Sequence, residues 1–218
     1  MNALEQNDIH QMNNGNSRAP ETRQITDFSL IEMLYNTRLK KDFARDELKP
    51  LASMRRSWKK NAYDCYGLFD GEEILGYAFF VRRDRDYLFD YFAIAEERRN
   101  EGLGSVFLKQ LADCVRDADC IVGEVEDPDM AEDEETSLLR ERRMQFYLRS
   151  GYRKTELTST VFGVDYRILE LPTAAEHKTE ELGSAYTELY RSTLPAFFFR
   201  TQFRVREKAP TEPMTENE

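Results

Sequence analysis

Residues Tyr91–Ser105 read YFAIAEERRNEGLGS, and the fold turns on how this stretch is interpreted. Its leading half, Leu88–Ile94 with the residues just upstream, is apolar and aromatic enough for a buried strand. Downstream, Ser105–Val115 sets Val106, Leu108, Leu111 and Val115 along one helical face. Between the two lies Arg99-Asn100-Glu101-Gly102-Leu103-Gly104, whose glycines allow positive φ and leave room for a ligand against the main chain. Amides exposed at a helix N-terminus favour an anion, so the segment reads as a strand–turn–helix that holds a pyrophosphate. A glycine-rich turn without a ligand is the plainer alternative. A dinucleotide fingerprint would need a third glycine, and a P-loop would need Gly-Lys-Ser/Thr; both are missing.

A second block, Arg142–Tyr152 (RRMQFYLRSGY), lies about forty residues downstream. Leu138, Leu139, Met144, Phe146 and Leu148 give it a helix's apolar residues, Gly151 suits a left-handed C-terminal cap, and Tyr152 starts the next strand. Arg-x-x-Gly-x-Gly and Phe-Tyr-x-x-x-Gly-Tyr, in this order, resemble the two signatures of the GNAT superfamily of N-acyltransferases over roughly residues 25–172. That resemblance implies an α/β fold with a mixed, mostly antiparallel central sheet flanked by helices. It also implies acetyl-CoA as co-substrate, direct transfer to an amine without a covalent enzyme intermediate, and no metal.

Carried over residue by residue, the resemblance assigns the CoA pyrophosphate to Arg99, Asn100, Glu101, Gly102, Leu103, Gly104 and Ser105. It assigns the pantetheine arm to the main chain of Phe92, Ala93 and Ile94, with the Ile94 amide as the group that stabilises the oxyanion. Tyr147 matches the signature tyrosine and is the expected general acid; a packed surface tyrosine is the alternative. Glu124 is the expected base. Strand alternation puts Glu124 and Glu126 on one face, and both could equally be solvated at a strand end. Asp90, a carboxylate in an otherwise apolar strand, and Glu47 stand in reserve. His10 lies in the N-terminal tail and His177 beyond the domain. Arg99 could instead pair with Glu96 or Glu97, and Tyr152 reads as core.

The 218 residues suit one domain with appendages. A net charge of −10 argues against a nucleic-acid binder, and the longest apolar runs fall far short of the ~18 residues a membrane span needs. The N-terminus lacks the pattern of a secretory signal. Cys65, Cys114 and Cys120 are odd in number and read as reduced structural thiols in a cytoplasmic protein. Oligomeric state is not legible.

Along the chain, 1–24 reads as a disordered tail, 25–172 as the acyltransferase domain, and 173–218 as a C-terminal helix with a disordered tail. Asp27 caps a first helix through Phe28, Ile31, Leu34 and Tyr35; a second runs over Glu47–Lys60 with Pro50 in its first turn. Strands follow at Asp64–Phe69, Ile74–Arg82, Tyr87–Ile94, Cys120–Glu126, Arg153–Phe162 and Asp165–Leu171, and an amphipathic helix over 176–194 carries Leu182, Tyr186, Leu189 and Tyr190. Glu124–Glu135 holds eight carboxylates in twelve residues: either a collar that concentrates a cationic acceptor or a solvated loop leading into a helix. The expected activity is N-acetyl transfer to an amine on a small molecule or peptide. The rival is a catalytically silent acyl-CoA-binding or protein-interaction module of the same shape.

Overall fold

The computed structural model describes residues 19–45, 47–173 and 177–207. Eight strands form one sheet: β1 (Glu21–Gln24), β2 (Tyr63–Asp70), β3 (Glu73–Arg83), β4 (Asp86–Ile94), β5 (Cys120–Glu126), β6 (Arg153–Val161), β7 (Val164–Leu171) and β8 (Phe203–Glu207). Their order is β1-β2-β3-β4-β5-β7-β6-β8, and only β4 and β5 pair in parallel. The helices are α1 (Phe28–Leu34), a π-helical stretch (Tyr35–Leu39) leading into α2 (Lys40–Asp42), α3 (Leu51–Lys59), α4 (Leu103–Cys114), α5 (Glu134–Arg149), α6 (Thr179–Thr193) and α7 (Ala196–Gln202). The mixed, mostly antiparallel sheet flanked by helices is the architecture the resemblance implies.

Each face of the sheet carries its own core, because strand alternation sends neighbouring side chains to opposite sides. On one face Phe28, Ile31 and Leu34 of α1, Met54 of α3 and Leu182, Tyr186 and Leu189 of α6 pack against Tyr77, Phe79, Leu88 and Val122. On the other, Leu103, Phe107, Leu108 and Leu111 of α4 and Met144 of α5 cover Leu68, Leu75, Phe80, Ile121 and Val125. The Asp27 carboxylate accepts the Ser29 amide at 2.9 Å, the expected cap on α1.

Several expectations need correction. In α4 the inward stripe is Leu103, Phe107 and Leu111, one turn apart, with Leu108 beside it, and Val106 is 42% exposed. Leu138 and Leu139 are also exposed, since α5 meets the core only from Met144 onward. Helix α3 starts at Leu51; Pro50 is extended and serves as its N-cap, so Glu47–Lys49 lie outside it. Glu21–Gln24 are not a tail but an edge strand, fastened where the Thr22 amide donates to Gln110 Oε1 at 2.7 Å. The fold also does not close at Pro172: α6 packs on the sheet and β8 pairs with β6. The tails expected over residues 1–18 and 208–218 lie outside the described residues. Among the described residues no helix is long and apolar enough to cross a membrane.

Candidate active site

Strands β4 and β5 are paired only over Asp86–Leu88 and Cys120–Val122. Beyond that point β4 runs on to Ile94 and stays on β3, while β5 runs on to Glu126 and stays on β7, so a wedge opens between them. Asp90 is an extra residue in β4, since Phe89 pairs with Phe80 and Tyr91 with Phe79. The Ala95 amide donates to the Leu75 carbonyl at 2.8 Å. In an antiparallel ladder that sets Ala93 and Tyr91 to bond β3 and turns the main-chain groups of Phe92 and Ile94 toward the wedge. Ala93 therefore does not offer its main chain to a ligand; its groups belong to β3.

The loop after β4 begins with a short turn at Glu96–Arg98, then places Asn100 (φ 68°) and Gly102 (φ 79°) in the left-handed region. Gly102 caps α4, and among the described residues the amides of Gly102, Leu103 and Gly104 have no hydrogen-bond acceptor. A Cβ on Gly102 would point into open space, whereas one on Gly104 would sit 3.1 Å from the Phe146 ring. Free amides at a helix N-terminus facing open space suit a pyrophosphate. The Ser105 amide donates to the Gly102 carbonyl at 3.1 Å. Arg99 pairs with Asp42 at 3.1 Å rather than with Glu96 or Glu97, and Glu101 is held by Arg98 at 3.0 Å.

Tyr147 stands on α5, its ring 6.5 Å from Phe92, 5.3 Å from Phe146 and 5.4 Å from Tyr152. Its hydroxyl has no hydrogen-bond partner among the described residues, and burial pushes the phenol up to about 12. Tyr152 is buried, as expected.

Glu124 lies beyond Val122, on the stretch of β5 that has left β4, and faces α6. Its carboxylate accepts from the hydroxyls of Tyr186 and Tyr190, the latter at 2.8 and 3.0 Å to its two oxygens. The Tyr186 hydroxyl is also 2.8 Å from Ser159 Oγ. Burial pushes the Glu124 carboxyl up to about 7 against the two tyrosine hydrogen bonds and Lys49, which act to lower it. Glu126 shares the face but is tied to Arg140 at 2.7 Å. Asp90, across the wedge, is engaged by Lys49 and the Tyr63 hydroxyl. The Glu47 carboxylate accepts the Ala44 amide of its own loop at 3.0 Å.

Much of the acidic segment is spent on structure. Asp127 pairs with Arg167 at 2.8 Å, Asp129 with the same arginine, and Asp133 caps α5 by accepting the Thr136 amide at 2.7 Å. That favours the plain reading of a loop over a collar.

The two tyrosines that hold Glu124 had a signal in sequence. They fall on the buried face of an amphipathic helix, and a buried tyrosine needs a partner for its hydroxyl. Nothing in the spacing named Glu124, over sixty residues earlier, as that partner.

The Acetyltransferase (GNAT) family model matches residues 31–133, which span β4, the glycine loop and β5 and stop just before α5. No curated protein sequence gives a significant match. Among solved structures, a GNAT-family protein from Bacteroides thetaiotaomicron superposes with a TM-score of 0.62 at 18% identity, covering 79% of this chain and 98% of its own. A GNAT-family protein from Desulfovibrio desulfuricans gives 0.51 at 17% identity, covering 72% and 100%. The ribosomal-protein-S18-alanine N-acetyltransferase of Escherichia coli gives 0.50 at 13% identity, covering 73% and 97%. At these identities the structures speak to fold alone. The family-model match over the wedge and glycine loop and the shared fold of these structures make the chain similar to GNAT acetyltransferases.

Proposed function

We propose that this protein transfers an acetyl group from acetyl-CoA directly to an amine, with Glu124 as base and Tyr147 as acid. The observation that carries the reading is a carboxylate poised at about 7, lining the wedge that the free amides of Gly102–Gly104 flank. Acetyl-CoA supplies the activated acetyl group and the departing sulfur; the remaining work falls to this chain. The amides at the start of α4 hold the pyrophosphate, and the wedge-facing groups of Phe92 and Ile94 hold the pantetheine arm. The Ile94 N–H donates to the acetyl oxygen as charge builds on it. Glu124 takes a proton from the incoming ammonium, directly or through water.

A phenol at about 12 is fully protonated at neutral pH, as an acid must be before reaction. It is also a weaker acid than a free thiol, whose usual value is ~8.5. Tyr147 therefore hydrogen-bonds to the departing sulfur and shares its proton as charge develops there. Tyr147→Phe should lower kcat by ~10²-fold and leave CoA affinity nearly unchanged, because the ring packing stays. A kcat within about twofold of wild type would reduce Tyr147 to a packing residue.

The acceptor is an amine on a small molecule or a peptide. Thiol release from acetyl-CoA across a panel of polyamines, aminoglycosides, lysine and short peptides tests the proposal. Turnover with any of them supports an enzyme; tight acetyl-CoA binding with no turnover on the whole panel supports the silent module.

A further inference from the structure

Cys120, Glu170 and His177 are far apart in sequence, and nothing in their spacing reads as a metal motif. The sheet brings them together. Glu170 of β7 pairs with Val122 of β5, which puts it on the same face as Cys120 one diagonal step away. His177, just before α6, lies beside both. Cys120 and Glu170 are fully buried. One ligand atom from each residue lies within 4.8 Å of the other two.

We infer that Cys120, Glu170 and His177 form a binding site for one borderline-soft divalent cation of the zinc class, distinct from the acetyl-transfer site and independent of that reading. Thiolate, imidazole and carboxylate are the donor types such an ion takes, at about 2.0–2.3 Å, with water as the fourth ligand of a tetrahedron. Ligands at those lengths sit roughly 3–4 Å apart, so Glu170 Oε1 and His177 Nδ1, now 2.8 Å apart, must part slightly to admit the ion, with the Cys120 sulfur already within 4.8 Å of both.

The surroundings prepare it. Arg153 donates to Glu170 Oε2 through Nε at 2.9 Å and through Nη2, and Nη2 also donates to the His177 carbonyl at 2.9 Å. That arginine fixes the carboxylate and leaves Oε1 facing His177 Nδ1, 2.8 Å away. Thiolate and carboxylate offset the divalent charge, and with the Arg153 guanidinium on Glu170 the occupied site keeps one positive charge in excess. His177 also lines an open depression with Asp86, Asp119, Glu180 and Glu181, a negative mouth through which a cation can enter. On binding, the Cys120 S–H bond breaks and its proton leaves to water as the S–metal bond forms. His177 moves its proton to Nε2, freeing the Nδ1 lone pair. The ion then ties the start of α6 to β5 and β7.

The test is cobalt(II) titration of the full chain carrying Cys114→Ser, which removes the exposed thiol. One equivalent should raise a thiolate-to-cobalt charge-transfer band in the near ultraviolet, and one equivalent of zinc should displace it. Adding Cys120→Ser should abolish the band. His177→Ala, at a partly exposed position the core does not need, should weaken binding by at least ~100-fold. If the Cys120 variant fails to fold, the His177 variant decides. A missing band, or a band and affinity that neither substitution changes, overturns the site and leaves the three residues as an ion-paired anchor for α6.

Discussion

Glu124→Gln is expected to lower kcat/KM at neutral pH by ~10²–10⁴-fold, the range of a single general base. A lysine-like amine, with its usual value near ~10, arrives as an ammonium and cannot attack until it loses a proton. Glu124 can accept that proton only when ionised. With its carboxyl raised to about 7, the wild-type profile should climb as pH rises through 7 and flatten above it. The glutamine variant should lose this limb and recover part of its rate at high pH, where free amine is abundant. Tyr190→Phe removes a donor that stabilises only the ionised carboxylate, so the limb should move to higher pH. Glu126→Gln is the control, since that carboxylate is already paired with Arg140. Equal losses in the Glu124 and Glu126 variants, without rescue at high pH, would mean that the carboxylates only attract a cation. Asp90 would then be the next candidate base.

Gly102→Val should weaken CoA binding by ~100-fold. A β-branched residue in the left-handed region carries roughly 1–3 kcal/mol of strain, and relieving it moves the amides that face the phosphates. Calorimetry on folded variant protein reads the affinity. Gly163→Val supplies the control, because Gly163 has a comparable φ of 85° in the turn between β6 and β7. Loss of CoA affinity in the first variant alone supports the loop as the pyrophosphate site. Unchanged affinity in Gly102→Val would remove the basis of the assignment.

What the sequence disclosed follows from the range of the forces involved. Strand β5 matched its expected span, and β4 and α4 came within a residue or two, because apolar runs, alternation and glycine conformation are local properties. Phase within a helix was less legible. Val106 and Leu138 are apolar yet exposed, since which stripe faces inward depends on where the helix meets the sheet. The edge strands β1 and β8 escaped notice because their polar sequences gain order only from partners, strand β2 and Gln110 for β1 and strand β6 for β8. Tyr147, Glu124 and the glycine loop were reachable through resemblance to a family. The groups that tune Glu124 were not, because Tyr186 and Tyr190 reach it only through the tertiary fold.

That last arrangement sets a timetable for synthesis. A nascent chain that has emerged as far as Leu171 already carries β1 to β7, the glycine loop and Tyr147. It does not yet carry the two hydroxyls that hold Glu124, which come only with α6, nor β8, whose Phe203 stacks 4.6 Å from the Tyr190 ring. On the ribosome the glycine loop is complete first, and the Glu124 carboxylate gains its two tyrosine partners only after α6 has followed.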